Sequence, residues 1–244
     1  MASNYKSCFE DEKRLWEAAT EGNLNVVKEL MERNDIDVNW ADPQYNRTPF
    51  YRACGHGQVK VVEYMLKDSR IDVDKRIRDY GTPFYIACQE AKKEVVECLI
   101  KDPRIVINST HKDGYTPLCI AAQCGNVEVV KILLNDKRVD INKGEKQQNS
   151  PLHLACNNGK LEVIKWLLIS DRSVDINSKN SSNCTPIQIA EVASNEGIRF
   201  WESIEEEQER RENCLKILEI LKFYQNDPEL AIHTLKYQLG ILGK

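Results

Sequence analysis

Short apolar pairs recur along this chain in a fixed rhythm. Val61-Val62 precedes Met65-Leu66, Val95-Val96 precedes Leu99-Ile100, Val129-Val130 precedes Leu133-Leu134, and Val163-Ile164 precedes Leu167-Leu168. Apolar residues at this i, i+3, i+4 spacing form the buried stripe of an amphipathic helix. Upstream of each stripe lie small residues, Ala53-Cys54, Ala87-Cys88, Ala121-Ala122 and Ala155-Cys156, followed by Ala190 further on. Small side chains at these places let a neighbouring helix approach closely. The segments that carry them open with Thr48-Pro49-Phe50, Thr82-Pro83-Phe84, Thr116-Pro117-Leu118, Ser150-Pro151-Leu152 and Thr185-Pro186-Ile187. A hydroxyl before proline predicts a helix start, because the oxygen caps orphan N–H groups and proline is tolerated at the first helical position. Each unit closes with an alternating triplet, Asp72-Val73-Asp74, Val106-Ile107-Asn108, Asp140-Ile141-Asn142 and Asp175-Ile176-Asn177, whose polar ends lead into a turn. The pattern predicts helix pairs joined by projecting turns.

The capping positions advance by 34, 34, 34 and 35 residues. A period in this range marks a stack of like units, none of which can bury its own apolar face alone. A unit at Leu15-Trp16-Glu17-Ala18-Ala19, Gly22, Val26-Val27, Leu30-Met31 and Asp37-Val38-Asn39 precedes the other five. It lacks the Thr-Pro start, as expected of an N-terminal cap with one face toward water. These residues resemble the ankyrin repeat, whose pattern is Thr-Pro-Leu-His, Ala-Ala, Gly, Val-Val, Leu-Leu, Asp-Val-Asn. Ser150-Pro151-Leu152-His153-Leu154-Ala155 is the nearest single copy.

The resemblance implies an all-α ankyrin-repeat solenoid of about six stacked helix-turn-helix units, with β-hairpin-like turns and a C-terminal capping helix. We expect an N-terminal tail over 1–12 and a repeat domain over 13–222, with units at 13–42, 43–76, 77–110, 111–144, 145–179 and 180–222, and a capping helix over 223–244. The spare residue of the long period falls between the second helix and the triplet, as in Asn135-Asp136-Lys137-Arg138-Val139. The glycine expected before the Thr-Pro start stands at Gly114; Asn46, Gln148 and Asn183 replace it elsewhere, and Gly81 is displaced by one. The last unit carries a charged insertion near 195–213, with Trp201 and a Glu-rich run from Glu205 to Glu212. This composition favours an exposed helix extension. Asp227-Pro228-Glu229 then predicts a new helix start.

Composition narrows the function. The net charge of −4 gives no signal for nucleic acid, and no apolar run is long enough to cross a membrane. Nine cysteines without a Cys-x-x-Cys pair, three of them at one small buried position, read as packing in a reducing compartment. No phosphate loop, dinucleotide fingerprint or nucleophile elbow occurs. The expectation is a protein with no catalytic residues, metal or cofactor, in the cytoplasm or the nucleus.

The resemblance also implies where a partner sits, on a concave side built from the residues before Thr-Pro and those after the small pair. The first stretch gives Gln44, Tyr45, Arg47, Arg78, Asp79, Lys112, Asp113, Tyr115, Lys146, Gln147 and Asn149. The second gives His56, Gln89, Glu90, Gln123, Asn157 and Asn158. Arg47, Lys75, Arg76, Arg78, Lys112, Lys143 and Lys146 form a basic row in an acidic protein, interleaved with Tyr45 and Tyr115. Tyrosine and arginine are favoured anchors at protein interfaces, and a basic row steers an acidic partner. The expected function is a monomeric adaptor or scaffold for a protein with an acidic segment. The alternative is a self-associating component whose tail docks on a neighbouring copy.

Overall fold

The computed structural model describes residues 2–77, 81–170 and 172–242. Its helices are α1 (Ala2–Glu21), α2 (Leu24–Met31), α3 (Pro49–His56), α4 (Val59–Met65), α5 (Pro83–Gln89), α6 (Lys93–Leu99) and α7 (Pro117–Cys124). They continue with α8 (Val127–Asn135), α9 (Pro151–Asn157), α10 (Leu161–Ile169), α11 (Pro186–Asn195), α12 (Ile204–Asn226) and α13 (Pro228–Gln238). Residues 2–12, expected as a tail, lie within α1. The only strand-like pairing among the described residues is an isolated bridge between Ile77 and Gly81.

Five of these helices start by one chemistry. Thr48, Thr82, Thr116, Ser150 and Thr185 hold extended backbone, their hydroxyls accept the N–H three residues on, and proline follows at the first helical position. Losing such a cap costs about 1 kcal/mol. At Ser150 the neighbour completes a box: His153 Nδ1 accepts the Ser150 N–H at 3.2 Å, while His153 Nε2 lies 3.1 Å from the Cys184 carbonyl. The N–H received at Nδ1 places the ring proton on Nε2, which donates to that carbonyl.

The chain forms two compact units, Met1–Lys112 and Asp113–Lys244. In the first, α1, α3 and α5 pack in one row and α2, α4 and α6 in a second. Leu15, Leu30, Phe50, Met65, Phe84 and Leu99 fill the space between, fully buried. Ala53, Cys54, Ala87 and Cys88 have no exposed surface, which is how α3 and α5 come so close. A Cβ at Gly55 would stand 3.2 Å from Ile86. In the second unit α7, α9 and α11 form one row and α8, α10 and α12 the other, and α13 lies on α10 and α12. Its core holds Leu118, Leu133, Leu152, Ile164 and Leu167. Asp227 caps α13 by accepting the Leu230 N–H at 3.0 Å.

The extra residue of the long period belongs to an Asp-Xaa-Arg latch. Asp68 grips Arg70, whose guanidinium donates to the Met31 carbonyl at 2.6 Å, one repeat back. Asp102 and Arg104 repeat the arrangement onto the Leu66 carbonyl at 2.7 Å. In the second unit Arg172, with Ser170 in the place of the Asp, reaches the Asp136 carbonyl at 2.9 Å. Each latch satisfies carbonyls that a helix C-terminus leaves unpaired.

A left-handed residue stands before every described helix start of the Thr-Pro type: Asn46 at φ 60°, Gln148 at 58° and Asn183 at 61°, beside Gly81 and Gly114. Gln148 adopts this conformation without being glycine, where a Cβ is unfavourable. Ala91, at φ 53°, likewise occupies the place held by Gly57, Gly125 and Gly159 in other repeats.

Candidate functional site

The turn tips are folded by their own side chains. Asp42 accepts the N–H groups of Tyr45 at 2.7 Å and Arg47 at 2.8 Å. Glu145 does the same for Gln147 at 2.7 Å and Asn149 at 3.2 Å, and Asn180 for Ser182 and Cys184 at 3.0 Å. In the second unit adjacent tips are also stitched together. The Lys146 N–H donates to the Asp113 carbonyl at 2.9 Å, the Ser181 N–H to the Gln147 carbonyl at 2.8 Å, and the Asn180 amide to Asn149 Oδ1 at 2.7 Å.

Three of the seven residues of the expected basic row are engaged within the protein. Lys75 donates to the Asn39 carbonyl at 3.1 Å, and Arg76 reaches the Thr110 carbonyl and the Ser109 hydroxyl. Lys146 lies 3.8 Å from Asp113. Arg78 and Asp79 lie outside the described residues. Lys112 is exposed, and Tyr115 is half-buried. In the second unit the insertion engages two expected contact residues: Arg199 donates to the Asn157 carbonyl at 2.7 Å and to Asn158 Oδ1 at 3.1 Å. Gln123 is half-buried, with its amide oxygen buried and without a partner.

Arg47, from the expected row, joins cations outside it at one place in the first unit. Arg47, Arg52, His56 and Lys92 line a cavity of 350 Å³, with Tyr51, Gly55, Ile86 and Glu90 completing its wall. Trp16 Nε1 donates to the Arg47 carbonyl at 2.9 Å and ties this corner to α1. Both guanidinium groups rest on aromatic faces, Arg47 on Tyr45 at 4.3 Å and Arg52 on Trp16 at 4.6 Å. Arg52 Nε also donates to Thr20 Oγ1 at 3.1 Å. Arg47 Nε is buried without a hydrogen-bond partner. Gln44 donates to the Tyr45 hydroxyl at 2.8 Å and Gln89 to Glu90 at 3.2 Å.

Electrostatics report the same crowding. Burial lowers the His56 pKa below its ordinary value, and Arg52, Lys92 and Arg47 push it further down against the opposing pull of Glu90. Burial also lowers Arg52, with Arg47 adding to the effect. Of the cavity's lining, Arg47, His56 and Glu90 belong to the expected contact residues, and Arg52 and Lys92 do not. Arg52 lies inside a helix, and Lys92 follows the left-handed Ala91 of the next repeat. Neither position belongs to the two stretches that the resemblance marks.

A larger cavity, 620 Å³, lies in the second unit against the insertion, where Arg199, Trp201, Glu202, Glu206, Glu209 and Arg210 are among its walls. Its arginines are already matched: Arg199 to Glu196 at 2.7 Å and Arg210 to Glu202 at 2.7 Å. Among the described residues no group of three His, Cys, Asp or Glu side chains could hold a metal ion. Burial raises the thiols of Cys54, Cys88 and Cys156 well above the usual range, which disfavours the reactive thiolate. No helix among the described residues is long and apolar enough to cross a membrane.

Comparison with known proteins agrees with this architecture. A family model described as Ankyrin repeats (3 copies) matches residues 4–79 and 72–145, and one described as Ankyrin repeats (many copies) matches 135–190. The chain belongs to the ankyrin-repeat family. A human relative, Ankyrin repeat domain-containing protein 7, is 35% identical over 66 residues, a match that spans 27% of this chain and 26% of the relative. Ankyrin repeats are generally protein–protein interaction modules.

Proposed function

We propose that this chain is a non-enzymatic adaptor or scaffold that binds a protein partner through its turn tips and adjoining helix ends. The partner presents an acidic segment. The observation that carries this reading is the cavity of the first unit, where Arg47, Arg52 and Lys92 face Glu90, the only carboxylate among the described residues of the wall. Arginines held flat on Tyr45 and Trp16 are ordered before a partner arrives, so docking loses little side-chain entropy. The buried thiols suit a reducing compartment, the cytoplasm or the nucleus.

Charge reversal tests this directly. Arg47→Glu combined with Lys92→Glu is expected to abolish capture of the acidic partner from lysate, with the thermal melting transition retained. Undiminished capture by the double variant overturns the assignment.

One observation favours self-association as a second reading. Residues 195–213 carry seven carboxylates against three arginines, a local charge of 3 − 7 = −4. This segment complements the cation-lined cavity of another copy. Sedimentation separates the readings: a monomer at high concentration excludes assembly, and a dimer that salt dissolves supports it.

A further inference from the structure

Three fixed cations and one carboxylate give the cavity of the first unit a net fixed charge of 3 − 1 = +2, from Arg47, Arg52 and Lys92 against Glu90. None of these four side chains makes an ion pair with another described residue. A simple carboxylate entering here would leave the cavity positively charged. A phosphomonoester carries close to two negative charges and three strong acceptor oxygens. Two guanidinium forks and an ammonium supply donors of the type that grips such a group. The buried Arg47 Nε is a donor with nothing yet to donate to. The volume of 350 Å³ exceeds what a phosphate alone fills, and Ile86, Gly55 and Tyr51 offer wall for the side chain that carries it.

We propose that this cavity is a phosphomonoester site that receives a phosphorylated side chain of the protein partner. The site lies beside the Asp42–Arg47 turn tip, whose backbone is pinned by Asp42 and by Trp16. The two arginines are oriented by stacking, so the phosphate meets a rigid pair rather than mobile surface lysines. His56 adds a switchable donor. It is held toward its neutral form by burial and by Arg52, Lys92 and Arg47, with Glu90 opposing. A bound dianion offsets those cations, raises the His56 titration and gains one more charged donor. Binding therefore strengthens as pH falls through the His56 midpoint, as long as the phosphate remains doubly ionised.

The inference rests on the cavity being a docking site, and its test is kept separate from that reading. Phenyl phosphate is titrated into the full chain while the His56 ring is followed by NMR. Benzoate serves as the monoanionic comparator. The expected result is movement of the His56 ring signals, a raised His56 titration midpoint, and binding of benzoate about tenfold weaker. Arg47→Gln and Lys92→Gln are each expected to weaken phenyl phosphate about tenfold, and Lys60→Gln, an exposed lysine outside the cavity, to leave it unchanged. An unmoved His56 ring, equal binding of benzoate, or equal loss in Lys60→Gln overturns the proposal. Binding to phosphoinositide vesicles without binding of phenyl phosphate overturns it in favour of a lipid surface. If partner capture needs Arg47 and Lys92 but phenyl phosphate does not bind, docking stands and the phosphomonoester site falls. If phenyl phosphate binds and capture ignores both residues, the phosphomonoester site stands and docking at this cavity falls.

Discussion

Asp74 occupies a place that asparagine holds in four other repeats. Asn39 donates its amide to the Arg70 carbonyl at 2.7 Å and accepts the Asp72 N–H at 2.8 Å. Asn142 repeats this with Ser173 at 2.7 Å and Asp175 at 3.0 Å. Asp74 accepts the Val106 N–H at 2.8 Å, but its Oδ1 is buried with no partner. By register the missing contact is a donor to the Arg104 carbonyl. Burial raises the Asp74 pKa above the usual carboxylate value. Asp74→Asn supplies the donor and removes the buried charge, and we expect a gain of about 1 kcal/mol near neutral pH. The folded state here holds the proton better than the unfolded state. The gain is therefore full above the raised folded pKa and shrinks as pH falls, because a protonated Asp74 can itself donate. Urea denaturation at about pH 7 and about pH 4 measures both ends, and a gain equal at the two values contradicts the account.

The insertion is held on its repeat through several arginines, of which Arg210 is buried. Arg210, 5% exposed, donates to Glu202 at 2.7 Å and 3.1 Å, to the Ala193 carbonyl at 2.6 Å and to the Gly197 carbonyl at 3.1 Å. Residues 196–203 are otherwise irregular, and Phe200 and Trp201 point their rings to solvent. Arg210→Met leaves Glu202 with the Arg199 N–H alone and removes the donor to three carbonyls, at a cost of about 3 kcal/mol. We expect the loop between α11 and α12 to become the first site of limited proteolysis, together with a lower melting temperature. A digestion pattern identical to that of the unmodified protein would mean that the remaining contacts hold the segment without Arg210. The sequence marked this insertion by its broken register and charge. It gave no sign that one charge is buried, because burial of Arg210 depends on where the loop returns.

At the scale of the molecule, each unit is stabilised through its nearest-neighbour interfaces, and the Asp-Xaa-Arg latches make them sensitive to acid. Hydrogen bonds from Arg70, Arg104 and Arg138 hold the carboxyls of Asp68, Asp102 and Asp136 below the usual range. A depressed folded pKa contributes stability that is present above the unfolded value of about 3.9 and lost as pH falls through the folded value. The melting temperature is therefore expected to drop below about pH 4, and to drop less in Asp102→Asn, whose latch no longer titrates. Equal acid sensitivity in the variant would place the loss elsewhere.

Sequence alone determined the repeat, the helix starts and the paired apolar stripes. These are local: a hydroxyl before proline, a small pair and an i, i+3, i+4 run each act within one or two helical turns, so periodicity exposes them. It also placed Tyr45, Arg47 and His56 near the site. The tertiary structure decided which charges remain available. Lys75 and Arg76 fold back onto neighbouring turns, and Arg199 hydrogen-bonds Asn157 and Asn158. Arg52 and Lys92 come from different repeats and reach one cavity only when α3 packs on α5. Charge pairing depends on distance in space, and a repeat period reports distance only along the chain.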